Sequence, residues 1–513
     1  MNELPRRKLI EIVARKGRSI IENPGRVKGL LRDYCGAYRR EISVLAMALE
    51  EHAVPDLLSA PASLPRKVLL ARLARRLCDN LALSEEAAIW SIESWALALG
   101  VISAAELETN ETAPAAALHV VKPREEISST AAAASQNRPA NSVQSKPRAN
   151  SFIVAADGSG DFKTIGEALQ KVAPNARLLV REGFYDESII LDKNIEILGD
   201  GAFDKIIVRS VNSSCILMQT DKASVRGLSL RGSGARGGKA FFAVDIPKGE
   251  LILESCDISS DSLSCIAVHG VNSKPAIKNC RIHDGADSGL YFYDNARGRV
   301  ENCDVYRNAN VGVAITQGAN PALANCRVFQ GNNGGVVAWG NGAAGVIENC
   351  HIFGHRLANI GISEYANPIF RRCEIYNGQD TGVYVHANGF GTLEECNIYK
   401  NSKAEVGVSQ GGNSIFRRCA IHDGENSGVI LQNRGRTTLE SCNIYDNADA
   451  GVAIYGESTV IIRRCNIHRN GKVAVRVKEQ SAARVENCDL RGNRLAAWET
   501  EYGITLEESG NRD

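Results

Sequence analysis

A right-handed parallel β-helix preceded by a small all-α domain is the fold class this sequence predicts, and three observations predict it. The first is a cysteine that returns on a nearly fixed beat: Cys256, Cys280, Cys303, Cys326, Cys350, Cys373, Cys396, Cys419, Cys442, Cys465 and Cys488 lie 23 residues apart, except for two steps of 24. A self-similar period in this range marks stacked supersecondary units. The second is the frame around each cysteine. An apolar residue stands three before it (Leu253, Ile277, Val300, Leu323, Ile347, Phe370) and another two after it (Ile258, Ile282, Val305). Nine after it comes a glycine (Gly289, Gly312, Gly335, Gly382, Gly428, Gly451) that opens an alternating run such as GVAI or GVYV. Short strands of period two, joined by turns rich in Asn, Asp and Gly, satisfy that frame. The third is the length of the unit. It is too short for strand, crossover helix and strand, which need ~30 residues. It fits one coil whose strands pair with their equivalents a coil away, ~4.8 Å along the axis. The crossover rule makes the coil right-handed.

A file of thiols invites a disulfide or a metal, and geometry opposes both. In-register stacking keeps the Cβ atoms ~4.8 Å apart, beyond the ~3.5–4.5 Å of a disulfide. A straight file cannot surround a cation tetrahedrally, and the sequence has no CxxC. The cysteines are therefore expected as small buried hydrophobes, with no metal and no cofactor.

The 513 residues are 44% hydrophobic and 23% charged, with net charge +1. That composition suits a soluble protein of two or more domains and offers no charge excess for nucleic acid. No window nears 18 apolar residues, so no membrane span is expected. The opening MNELPRRKLIEIVARKG lacks the apolar run of a secretory signal. With fifteen cysteines, the reducing cytosol is the expected location.

In chain order, residues 1–105 predict a helical domain. LPRRKLIEIVARKG, GRVKGLLRDYCGAYRREISVLAMALEEH, LPRKVLLARLARRLCDN and SEEAAIWSIESWALALG all space apolar residues at three and four. Ser84 suits an N-cap, Gly100 a stop, and Trp90 and Trp95 the core. Basic clusters (Arg6, Arg7, Lys8; Arg39, Arg40; Arg72, Arg75, Arg76) read either as solvated helix faces or as contacts for a protein partner. Residues 106–151, rich in Ala, Ser, Pro and Asn, read as a flexible linker. The β-helix domain takes 152–513, with about thirteen coils. Thr164, Ile165, Ala168, Leu169 and Val172 predict a short helix capping the first coil. Leu228 takes the cysteine position before Cys256, so RGSGARGGKAFFAVDIP (231–247) carries an insertion, of the kind that often serves binding. Trp498 and Leu506 would close the far end.

Two stretches carry family resemblances. VAADGSGDFKTIGEALQ, then REGFYDESIIL and IEILGDG, resembles the opening of pectinesterases and of the wider pectin lyase-like superfamily. Units such as NPIFRRCEIYNGQDTGVYVHANGFGTLEECNIYKN resemble the β-helix repeats of F-box proteins and of bacterial right-handed β-helix proteins. There is no F-box here, so ubiquitin-ligase function is not implied. The N-terminal region is similar to helical modules of bacterial multidomain proteins, which implies an adaptor role. The pectinesterase likeness makes GQDTGVYVHA (378–387) the place to seek chemistry. In that family the Gln of a QDT stretch helps hold the oxyanion, the Asp acts as general acid, and an aspartate one coil on attacks. Gln379 and Asp380 match; the next coil offers Lys403 opposite Asp380 and Glu405 two places on, and no GRPW follows. Two carboxylates are required, so the esterase set is incomplete, and Asp380 with Lys403 reads as an ion pair. The NTD, DD, GHG and RIK stretches of polygalacturonases are missing. HDG at 283–285 and 422–424 belongs to a turn whose ring position (His283, Tyr306, Phe329, Phe353, Tyr376, Tyr399, His422, Tyr445) should stack coil on coil.

A second set of rings falls eleven and thirteen residues after the cysteine, on the outward side of a strand: Tyr291, Tyr293, Trp339, Tyr384, His386 and Tyr455, among Thr316, Ser363, Ser409 and Gln432. Such a face suits a sugar or a protein; β-strands are also rich in tyrosine for their own sake. Trp339 should face outward between Thr316 and Ser363 with room for a ligand. The sequence thus supports a cytoplasmic binding scaffold that recognises a protein or carbohydrate on an exposed strand face. The alternative is a carbohydrate-active enzyme of the pectin lyase-like superfamily acting on an acidic polysaccharide.

Overall fold

The computed structural model describes residues 3–17, 24–35, 38–50 and 85–102, a few positions between them, and then 150–234 and 239–513. The expected linker lies outside the described residues up to 149. The chain divides into two compact units, 1–146 and 147–513.

The first unit is helical, with α1 Glu3–Lys16, α2 Pro24–Cys35, α3 Arg39–Glu50 and α4 Glu85–Ala98. The stretch 25–52, read as one run of helical spacing, is two helices. Most of the helix expected over 64–80, and the Ser84 cap, lie outside the described residues. After α4 the chain stops as expected: Gly100 is left-handed at φ +68°, and its amide and that of Val101 bond back to Leu97 and Ala96 carbonyls at 3.1 and 2.8 Å. Trp95 is fully buried, its indole donating to the Leu45 carbonyl at 3.0 Å. Arg6 is neither a solvated charge nor a docking contact. It is buried, donates to Ser94 Oγ at 2.9 Å and lies over the Trp90 ring at 5.4 Å.

The second unit is three parallel sheets of 16, 13 and 14 strands. Each coil contributes a strand to the first sheet (Arg297–Glu301, for example), the second (Asp304–Tyr306) and the third (Val313–Thr316). Equivalent residues pair in register: Val300 with Leu323, Val305 with Val328, Val313 with Val336. Strands alternate buried and outward residues, and the buried ones form one continuous core from Val154 to Leu490.

The three corners of the coil are left-handed. The residue before the cysteine makes the first, as in Asn302 (φ 53°), Arg372 (49°) and Glu395 (57°); the second falls at Arg307 (52°), Gln330 (55°) and Lys400 (57°). The third is a left-handed pair such as Asp294–Asn295 or Asn433–Arg434. Such backbone costs a non-glycine residue ~1–2 kcal/mol. It persists here because each corner amide bonds to the next coil: Asn302 to Ala324 O at 3.1 Å, Arg307 to Phe329 O at 3.3 Å, Asn295 to Gln317 O at 2.8 Å.

Behind the first corner the thiols form the expected buried file, and every described cysteine is free. Cys303 Sγ donates to Glu301 O at 3.3 Å and reaches Ile277 O at 3.7 Å. Behind the second corner runs a buried amide ladder. Asn401 Oδ1 accepts from the Gly378 amide at 2.9 Å and Asn470 Oδ1 from Asn447 Nδ2 at 3.0 Å. His355 substitutes for an asparagine in this file: Nδ1 accepts from the Gly331 amide at 3.1 Å and Nε2 donates to Val328 O at 3.0 Å. Both nitrogens are committed to the neutral ring, and burial pushes its pKa down to about 4.

At the near end the expected cap is the helix α5, Ile165–Lys171, with Thr164 Oγ1 accepting from the Glu167 amide. The Glu187 carboxylate takes the Ile165 and Gly166 amides at 2.8 and 2.7 Å. At the far end Trp498 and Leu506 pack on the core.

Two outcomes follow. Thiol titration in denaturant without reductant should recover nearly all fifteen cysteines; a large shortfall, or stoichiometric zinc, contradicts the file. His355, whose folded pKa is depressed below its usual 6.5, takes up its proton first in the unfolded state. Stability should therefore fall as pH drops from about 6.5 towards 4, by at most ~3 kcal/mol from this group. Denaturant midpoints across that window should lose this component in His355→Asn.

Candidate functional site

The three outward faces differ in character. On the second sheet, nine rings from His283 to His468 stack in one file. Neighbouring centroids are 4.6 Å (His422–Tyr445) to 5.4 Å (Tyr445–His468) apart, as the ring position after each cysteine predicted.

The six rings singled out for recognition all lie on the third sheet's outer side, half-buried, but not as one cluster. Tyr291 and Tyr293 stack at 4.5 Å, and Tyr293 continues onto His269 at 4.8 Å, whose Nε2 meets Asp245 Oδ1 at 2.9 Å. Tyr384 stacks on His386 at 4.6 Å and shares a hydrogen bond with Ser409 Oγ at 2.8 Å. The Tyr455 hydroxyl accepts from Arg476 at 3.3 Å. Trp339 stands apart, and the Thr316 and Ser363 hydroxyls expected open beside it are buried. Asp245 and His269 were missed. Asp245 is hidden in the irregular insertion, and His269 occupies the same strand position as Tyr293.

Gln379, Asp380 and Glu405 fall in and after the second corner. Gln379 is exposed. Asp380 Oδ2 accepts from Lys403 Nζ at 2.6 Å, the ion pair expected. Burial opposes its charge, but Lys403 and the Thr381 amide and hydroxyl hold the carboxyl below the usual range. Glu405 is fully enclosed and cannot reach a substrate. It stands where other coils have the glycine nine after the cysteine, so its side chain points inward. There it takes the space left by Gly424, whose absent Cβ would lie 2.9 Å from Glu405 Oε1. It accepts from the Asn401 amide at 2.9 Å and from the Asn401 side chain. Burial pushes its carboxyl up to about 8, with the Asp423 charge adding.

The first sheet carries a charge ladder, legible in the sequence as RRC at 371–373, 417–419 and 463–465 alternating with EEC, ESC and ENC, and a groove that was not legible. Its last outward residues alternate in sign, so that Arg417 bridges Glu394 and Glu440 at 3.2 and 3.3 Å. Beside this ladder, at the third corner, a groove of about 910 Å³ crosses the coils from Tyr365 to Gln480, five coil steps or ~24 Å. Its amides are Asn388, Gln410, Asn413, Asn433 and Gln480; its charges are Arg434, Arg436, Glu457 and Glu479. At one end sit the exposed rings of Tyr365 and Phe390, with centroids 6.3 Å apart. The hollow follows from the residue before each strand, which must be small: a Cβ on Gly412 would stand 2.5 Å from Val385 O, and one on Gly435 2.4 Å from Val408 O. Tyr365 is left-handed at φ 64°, in a position that Asn295, Asn388 and Gly411 fill on other coils. Two aromatics where equivalent coils have Asn, Tyr365 in a turn and Phe390 at the first residue of a strand, were the available signal.

A smaller hollow of about 440 Å³ lies on the same sheet at earlier coils. It is lined by Lys222, Lys274, Lys278, Arg297 and Arg299, with Glu250.

Because the folded pKa of Glu405 is raised, the folded state holds its proton where the unfolded state has lost it. Stability from this group is complete below about 4.5 and is lost as pH rises to about 8. In Glu405→Gln the denaturant midpoint should no longer carry that decline; an unchanged profile contradicts the enclosure.

The chain is similar to known proteins over parts of its length. Pectinesterase 3 of Phaseolus vulgaris is 48% identical over 67 residues, 12% of this chain and 12% of that protein. A probable pectinesterase/pectinesterase inhibitor 17 of Arabidopsis thaliana is 25% identical over 166 residues, 30% of this chain and 31% of that one. The chain thus spans less than a third of the length of these curated relatives. Among solved structures, the A-module of mannuronan C-5 epimerase AlgE6 of Azotobacter vinelandii aligns with TM-score 0.40 and 13% identity, covering 68% of this chain and 92% of that one. The catalytic domain of a GH87 α-1,3-glucanase in complex with nigerose aligns with TM-score 0.41 and 14% identity, covering 72% and 70%. The family model described as "Right handed beta helix region" matches residues 214–370 and 358–512. With more than half its length matched, the chain belongs to the right handed beta helix region family.

Proposed function

We propose that the β-helix is a carbohydrate-active protein that binds a polysaccharide, and that the ligand lies in the groove at the third corner. The groove carries this reading. It is long and open, runs across several coils, and joins exposed rings to a row of amides, the combination that stacks on sugar faces and exchanges hydrogen bonds with hydroxyls. The local likeness to proteins named pectinesterases supports the same ligand class. Ester cleavage at Asp380 is not part of the proposal. That carboxylate is held by Lys403, and Glu405, which would have to attack or donate, is sealed in the core.

Binding by the full chain to immobilised polysaccharides, measured for two variants, tests the location. Phe390→Ala should weaken binding by ~2 kcal/mol, the loss expected of an aromatic anchor. Trp339→Ala, on the third sheet, should leave it unchanged. The reverse result moves the site to the third sheet.

A further inference from the structure

We propose that the groove selects an uncharged, hydroxyl-rich glycan rather than a polyuronate or other polyanion. The inference rests on the polysaccharide reading above and names the substrate class of that same site.

Four observations converge on it. The charges of the groove balance in number: its lining holds two arginines and two glutamates, and Arg434 meets Glu457 at 3.3 Å. The remaining polar lining is amide. Each amide offers a carbonyl and an NH₂, which complements a hydroxyl that both donates and accepts; a carboxylate accepts only, so it can use the NH₂ groups and arginines but leaves the carbonyls unanswered and is repelled by the glutamates. The rings of Tyr365 and Phe390, 48% and 37% exposed, give an apolar platform for the C–H face of a sugar ring. Finally, the same sheet has a separate cationic hollow around Lys222, Lys274 and Arg297. A polyanion would be drawn there by charge, away from the groove.

The test is affinity electrophoresis and titration calorimetry of the full chain. The neutral polymers are galactomannan, mixed-linkage glucan and dextran; the acidic ones are polygalacturonate and alginate. At least one neutral polymer should bind. That binding should persist in about 1 M salt, where the screening length is ~3 Å, and fall tenfold or more in both Phe390→Ala and Tyr365→Ala, which alter exposed rings and should leave the fold intact by circular dichroism. Acidic polymers should not compete for it. If only acidic polymers bind, or if salt abolishes binding, the present inference is overturned while the polysaccharide reading stands. If no polymer binds, or if binding is indifferent to both ring substitutions, the groove reading fails with it.

Discussion

The hydrogen bonds that run from each coil to the next decide every neighbour relation in this β-helix. Because pairing is parallel and in register, each side chain meets its own equivalent above and below, at a spacing of ~4.8 Å. A position is therefore chosen for its ability to stack on itself. Thiols, amides and aromatic rings do so readily, and they appear as files behind the first corner, behind the second, and along the second sheet. Even the left-handed corners depend on this constraint, since their amides are satisfied only by the following coil.

Charges obey the same rule with opposite sign. An arginine stacked on an arginine would repel, so the residues two before the cysteine alternate: Arg371, Glu394, Arg417 and Glu440 form one ladder, and Arg463 pairs with Glu486. The doubled period in this part of the sequence is thus electrostatic, superimposed on a single structural period. Such exposed pairs add little stability individually; their value lies in fixing which coil follows which, because a slip of one coil would set like charges together.

Much of this was legible beforehand. The coil, the cap with Thr164, the insertion before Cys256, the reduced thiols and the ring file all follow from hydrophobic period and from residues that recur at fixed positions. The groove was not legible in that way. It is made by turn residues and by the outward first residues of strands, which carry no hydrophobic period, and its shape depends on where the backbone runs left-handed and on how closely Gly412 and Gly435 approach the coil below. Glu405 is a different case. Its position relative to Cys396 is the one that glycine holds in neighbouring coils, so burial was available from the frame; following the pectinesterase-like stretch instead led to the surface. The outer rings of the third sheet were placed on the correct face, but sequence spacing does not say which partners each ring already has.

The two coils of 24 residues differ from the rest in one place. Their extra residue enters at the third corner, where Gly270 to Ser273 and Gly340 to Ala343 close the turn that Tyr293 to Ala296 closes in a shorter coil. Within the cysteine-marked repeats this corner absorbs an insertion without disturbing the register on either side: Ile277 still pairs with Val300 and Ile347 with Phe370. Within these repeats the third corner, which on later coils forms the groove, is therefore a place where the length of a coil can vary. A residue can be added there one coil at a time while the files that hold the fold are left alone.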